Sequence, residues 1–104
     1  MDVQSALTAK VSGLTPTQLE IMRGVYGFEF SGPEGASLTL AINEKGVEVR
    51  PGPHPDAAVT ISMPASDFFA ILDGRLDPMQ AFMAGSLQVQ GAIDQAMRLA
   101  ELFG

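Results

Sequence analysis

Gly24-Val25-Tyr26-Gly27-Phe28-Glu29-Phe30-Ser31 is the stretch whose reading decides the fold. Before it the apolar residues recur at helical spacing. From Tyr26 onward they recur at every second position, with Tyr26, Phe28 and Phe30 on one face and Gly27, Glu29 and Ser31 on the other, the pattern of a half-buried strand. Working back toward the N-terminus, Val3, Leu7, Val11 and Leu14 predict a short amphipathic helix that stops at Ser12-Gly13. Thr15 then caps a second helix, predicted from Pro16 to Arg23, in which Pro16 takes the first position, Gln18 completes a capping box and Leu14 staples onto Leu19.

Working forward, Gly32-Pro33-Glu34-Gly35 predicts a turn, and Leu38, Leu40 and Ile42 alternate with Thr39, Ala41 and Asn43 in a second strand. Val47 and Val49 mark a third strand, which stops at Pro51-Gly52-Pro53-His54-Pro55. Val59, Ile61 and Met63 face inward on a fourth, over Ala57 to Met63. Pro64 opens a helix with Phe68, Ile71 and Leu72 on one face and Gly74 as its stop. Asp77-Pro78 opens a shorter helix with Met79, Phe82 and Met83 on one side, ended by Gly85. A short fifth strand holds Leu87 and Val89. The last helix, from about Ala92 to Phe103, carries a narrow polar stripe of Asp94, Arg98 and Glu101 and is apolar elsewhere. Polar residues recur on one face of every strand, so the helices belong on the other. The expected architecture over residues 1–104 is a single α+β domain, a two-layer sandwich of a five-stranded, mainly antiparallel sheet with helices on one face.

The 104 residues are 46% hydrophobic and 17% charged, the makeup of a packed globule and not of a disordered chain. Twelve acidic against six scattered basic residues give a net charge of −6. A nucleic-acid partner, which needs clustered Lys and Arg against phosphates, is therefore not expected. The longest run of large apolar residues, Phe68 to Leu72, is far below spanning length, and the N-terminus lacks a basic and then apolar leader pattern. No stable membrane insertion is expected, and the cytoplasm is the default location. With no Cys, neither a disulfide framework nor a thiolate site exists.

Catalytic signatures are missing as well. His54 is the one histidine and sits between prolines, where a solvated loop histidine is the simpler reading than half of a dyad. Asp67, Asp73 and Asp77 bracket one helix, and capping explains them more simply than paired acid and base. No dinucleotide loop, phosphate loop or nucleophile elbow occurs. No metal or cofactor is expected.

What remains is the stretch from Phe68 to Phe103, where 21 of 36 residues are aliphatic, Met or Phe. Met79, Met83 and Met97 add side chains that pack against irregular or changing shapes. On periodicity alone this is either core or the lining of a pocket. Read in order, Asp67-Phe68-Phe69-Ala70-Ile71-Leu72-Asp73-Gly74, Asp77-Pro78-Met79-Gln80-Ala81-Phe82-Met83-Ala84-Gly85, Leu87-Gln88-Val89-Gln90-Gly91 and Ala96-Met97-Arg98-Leu99 resemble the C-terminal signature of the sterol carrier protein type two family. The resemblance extends over roughly Val25 to Phe103.

The resemblance implies an apolar tunnel between sheet and helices that takes a fatty acid, fatty acyl-CoA, sterol or phospholipid, with no catalytic residue. By facing, Phe28, Phe30, Leu40 and Ile61 would line the sheet side and Met79, Phe82, Met83, Met97, Leu99, Leu102 and Phe103 the helical side, while Phe68 to Leu72 and the strand at Leu87 to Val89 serve as ordinary core. Three departures qualify the likeness. Ser86 and Gln88 stand where basic residues are common in the family, which removes a partner for phosphate; Ala92 replaces a usual Asp or Asn; and Leu102-Phe103-Gly104 is not a peroxisomal ending. A sealed empty pocket of ~300 Å³ would cost roughly 7 kcal/mol at about 24 cal/mol per Å³, so the pocket is expected to be filled by lipid, shut by the last helix or completed by a second copy of the chain. An accessory role beside a lipid-modifying or quinone-biosynthesis enzyme is the alternative. The last helix is expected to act as a movable wall.

Overall fold

The computed structural model describes residues 2–33 and 35–103, with Phe103 described by its backbone alone. Two helices precede the change of period. α1 (Val3–Val11) is capped by Asp2, whose carboxylate accepts from the Ser5 amide at 2.7 Å, a bond that holds this exposed carboxyl below its usual range. α2 (Pro16–Ile21) begins with the predicted box: the Gln18 amide donates to Thr15 Oγ1 at 3.2 Å and the Thr15 amide to Gln18 Oε1 at 2.9 Å. It stops short of Arg23 because Met22 already leaves helical geometry as the C-cap.

β1 (Gly24–Ser31), β2 (Ser37–Asn43) and β3 (Gly46–Pro51) form an antiparallel meander. β4 (Val59–Pro64) lies on the other side of β1 and runs parallel to it, and β5 (Gln88–Gly91) closes that edge antiparallel to β4, giving the order β3-β2-β1-β4-β5. Register aligns Leu38, Phe28, Ile61 and Val89 across four strands, an apolar row on one face. Glu34, read in the turn after β1, lies outside the described residues.

A parallel pair needs a connection that travels back across the sheet. Residues 52–58 make it over the face opposite the helices. There the Thr39 hydroxyl donates to the Gly52 carbonyl at 2.8 Å, and the Gly52 amide to the Ser37 carbonyl at 2.7 Å. A Cβ placed on Gly27 would stand 3.6 Å from that of Ala57. Thr39, expected on a wet face, is therefore buried, and so is Gly27.

The helices cover the other face. α1 packs on β3 and on α3 (Ala65–Leu72), and α3 lies over β1 and β4. α4 (Pro78–Ala84) leads into β5, and α5 (Ile93–Phe103) packs on β4, β5 and α4. Leu7, Tyr26, Leu38, Leu40 and Phe68 are fully buried between the layers. The Tyr26 hydroxyl satisfies itself there by donating to the Met22 carbonyl at 2.5 Å. Burial pushes the Tyr26 phenol above its ordinary pKa, with the Arg98 guanidinium pulling partly the other way.

Candidate functional site

Two glycines and one aspartate shape the half of the molecule around β5. Asp77 accepts from the Met79 amide at 3.0 Å and starts α4, whose buried side chains are the small Pro78 and Ala81. Gly85, in the left-handed region at φ 87°, stops α4, and the Ser86 and Leu87 amides both donate to the Ala81 carbonyl at 3.1 Å as the chain turns into β5. At the far end of β5, Gly91 has φ 103°, and a Cβ there would come within 2.4 Å of the Ala58 carbonyl oxygen. Only glycine allows β5 to lie so close to the chain entering β4 before it turns into α5.

Because small residues and short connections hold α4 and α5 at the edge of the helical layer, a cavity of about 410 Å³ remains between them, α3 and the sheet. Phe28, Ile61, Met63 and Val89 form its floor, and Phe68 and Ile71 of α3 one side. Met79 and Phe82 of α4 stand at its rim. Ile93, Met97 and Ala100 of α5 form the opposite wall, backed by Ala96 and Leu99. Asp77 and Glu101 are the ionisable residues on its boundary, both exposed.

The rim is open. Met79, Phe82, Ile93 and Met97 are each 42% to 52% exposed although they border the cavity. The last helix thus forms a wall and does not shut the space. A sealed, dry void of this volume would cost about 10 kcal/mol, close to the ~5 to 15 kcal/mol stability of a whole domain, so an opening here is the energetically accessible arrangement.

Of the residues expected at the site, Phe28, Ile61, Met79, Phe82, Met97 and Leu99 are brought together around this cavity. Phe30 is buried beside it, its ring centroid 4.6 Å from that of Phe68. Leu40 lies on β2, toward the β3 edge on which α1 packs. Met83 is 79% exposed, because Pro78 and Ala81 are the buried side of α4 and Met83 falls on its far side. Leu102 is half-buried against the core, and the side chain of Phe103 lies outside the described residues.

Phe68, Ile71, Leu87 and Val89, read as ordinary core, border the cavity as well. Met63, a further floor residue, was not expected at the site; its alternation with Ile61 was the signal that could have placed it there. Phe68 and Ile71 gave no separate signal, since one helix face serves core and cavity at once.

His54 sits on the crossing connection, away from the cavity, with Nδ1 accepting from the Asp56 amide at 3.0 Å. Asp73 pairs with Arg75 at 3.1 Å in the open. Asp67 lies in the first turn of α3, and Asp77 is engaged as a cap. Among the described residues, no group of three or more His, Cys, Asp or Glu is placed to hold a metal ion, and no helix is long and apolar enough to cross a membrane. Ser86 turns its hydroxyl onto the Ala81 carbonyl at 3.2 Å. What the cavity offers is apolar surface that an apolar guest would remove from water.

A family model described as the SCP-2 sterol transfer family matches residues 5–104. Hydroxysteroid dehydrogenase-like protein 2 of Mus musculus is 40% identical over 81 residues, which is 77% of this chain and 16% of that protein. The chain spans under a fifth of the length of the first curated relatives it matches. Among solved structures, Sterol Carrier Protein 2 Like 2 from Aedes aegypti superposes with a TM-score of 0.80 at 21% identity, over 95% of this chain and 94% of that one. A UbiJ-SCP2 ubiquinone synthesis protein superposes with a TM-score of 0.73 at 25% identity, over 97% and 89%.

Proposed function

Because the chain belongs to the SCP-2 sterol transfer family, we propose that it binds one lipid-like molecule in the cavity under α4 and α5 and carries it chemically unchanged. The observation that carries this reading is the cavity itself. Its volume of about 410 Å³ falls within the ~300 to 1,000 Å³ of small-molecule sites, and its walls are apolar except at Asp77 and Glu101. Phe28, Ile61, Met79, Phe82, Met97 and Leu99 are the proposed contacts. Fatty acids, fatty acyl-CoA, sterols and phospholipids are the classes to test. Dehydrogenase chemistry, named in a relative of which the chain matches 16%, is not proposed for this chain, which has no dinucleotide-binding glycine loop.

Native mass spectrometry with lipid extraction of gently purified protein, followed by titration with fluorescent long-chain alcohols and acids, tests the reading. The expected result is an extractable lipid and saturable uptake of one probe per chain. Failure of both would sink it.

A second reading is presentation of the bound molecule to an enzyme. The uncovered apolar rim of Met79, Phe82, Ile93 and Met97, with exposed Met83 on the far side of α4, favours it, as does the likeness to a ubiquinone synthesis protein. Co-purification of an enzyme complex that depends on Met83, with indifference to free lipid, would select it over carriage. A second copy of the chain on the same rim would instead appear as a concentration-dependent dimer in sedimentation.

A further inference from the structure

We infer that Met63 is the end plug of the cavity and sets the longest guest it accepts, because this side chain, and no backbone ladder, closes the seam between β4 and the turn that follows α4. This deepens the carriage reading and rests on it. Hydrogen bonds between neighbouring strands ordinarily seal such a seam. Between β4 and β5 the ladder ends at the Ser62 and Gln88 pair, while β4 itself runs on to Pro64. The chain opposite Met63 is committed elsewhere: the Ser86 and Leu87 amides both donate to the Ala81 carbonyl at 3.1 Å, and the Ser86 hydroxyl donates to the same oxygen at 3.2 Å. A slot is left where the ladder stops.

That slot separates two spaces of different character. On one side lies the apolar cavity of about 410 Å³; on the other is a recess of about 490 Å³ bordered by Glu29, Ser62, Ser86 and Gln88. Among the described residues, Met63 alone borders both. Its backbone is held by β1, in register with Phe30, and its side chain is only 7% exposed, so the thioether fills the slot. Methionine suits a plug that yields, since its chain is unbranched, turns about several bonds and gives up no strong hydrogen bond when it moves. The cavity interior is apolar, so the polar end of a guest stays at the open rim between Met79, Phe82, Ile93 and Met97. The tail therefore runs down to the floor, where Met63 stops it.

The test is displacement of a fluorescent long-chain alcohol from the full chain by straight-chain alcohols of increasing length, each kept below its solubility limit. With the native chain, every added methylene is expected to improve displacement about fourfold until the tail reaches Met63, and not beyond. Met63→Ala removes Cγ, Sδ and Cε, so the limit moves outward by about two carbons, and alcohols of that length displace about tenfold better than from the native chain. Met63→Leu, close in volume, leaves the limit where it is. Met63→Val, suited to a strand, gives a smaller outward shift and carries the test where the alanine variant does not fold. On the native chain, the terminal methyl of the alcohol at the limit is expected to show a nuclear Overhauser contact with the Met63 methyl. A limit unchanged in folded Met63→Ala or Met63→Val, a limit moved as far by Met63→Leu, or a missing methyl contact would overturn the plug and leave carriage standing. No saturable binding of any alcohol to the native chain would overturn both.

Discussion

At the scale of single residues, Gly91 fixes the geometry on which the cavity depends. Any side chain there must cope with φ 103° and with a carbonyl oxygen 2.4 Å from its Cβ. Gly91→Ala is expected to cost about 1 to 3 kcal/mol in urea unfolding, since backbone on both sides has to shift. Tyr26 supplies a pH signature. Burial raises its phenol pKa, so its contribution stands in full below the unfolded value of about 10 and is lost as pH climbs through the higher folded value, because the unfolded chain gives up its proton first. Tyr26→Phe, which strips the donor from the Met22 carbonyl, should cost about 1 kcal/mol at neutral pH. It should also flatten the alkaline loss of stability when unfolding is followed from about pH 8 to about pH 11.

At the scale of elements, α4 and α5 do different things although both read as apolar helices. α4 buries Pro78 and Ala81 and leaves its large side chains at the rim, whereas α5 buries Ala96 and Leu99 while Met97 and Ile93 stay half in water. Leu99 is 0% exposed, so Leu99→Asp puts a charge into packed interior and should unfold the chain. Met97→Asp is the cleaner probe of the wall. Because Met97 is half exposed, circular dichroism should report an intact fold, while affinity for a fluorescent long-chain alcohol falls about tenfold or more. A fold lost in Met97→Asp, or an affinity unchanged, would mean that α5 is plain core.

At the scale of the molecule, the strands from Tyr26 to Val89 and the caps at Thr15, Asp77 and Gly85 were legible because each depends on neighbours in sequence. The parallel pairing of β4 with β1 and the burial of Thr39 were not, since both follow from residues 52–58 crossing the outer face, a long-range event without a local pattern. For the candidate site, Phe28, Ile61 and Met97 were legible from facing. Met83 and Leu40 were placed by the same logic, which registers that a residue is apolar and on the helical side but not which helix stands above it. The central claim is that one lipid-like molecule occupies the cavity between α3, α4, α5 and the sheet. Ala100, partly buried on its wall, allows that space to be filled from within. The most direct test is titration of the native chain and of Ala100→Trp with a fluorescent long-chain alcohol: saturable uptake of one probe per native chain, lost in a folded Ala100→Trp, is the predicted result, and uptake that fails to saturate or is equal in the two proteins would contradict it.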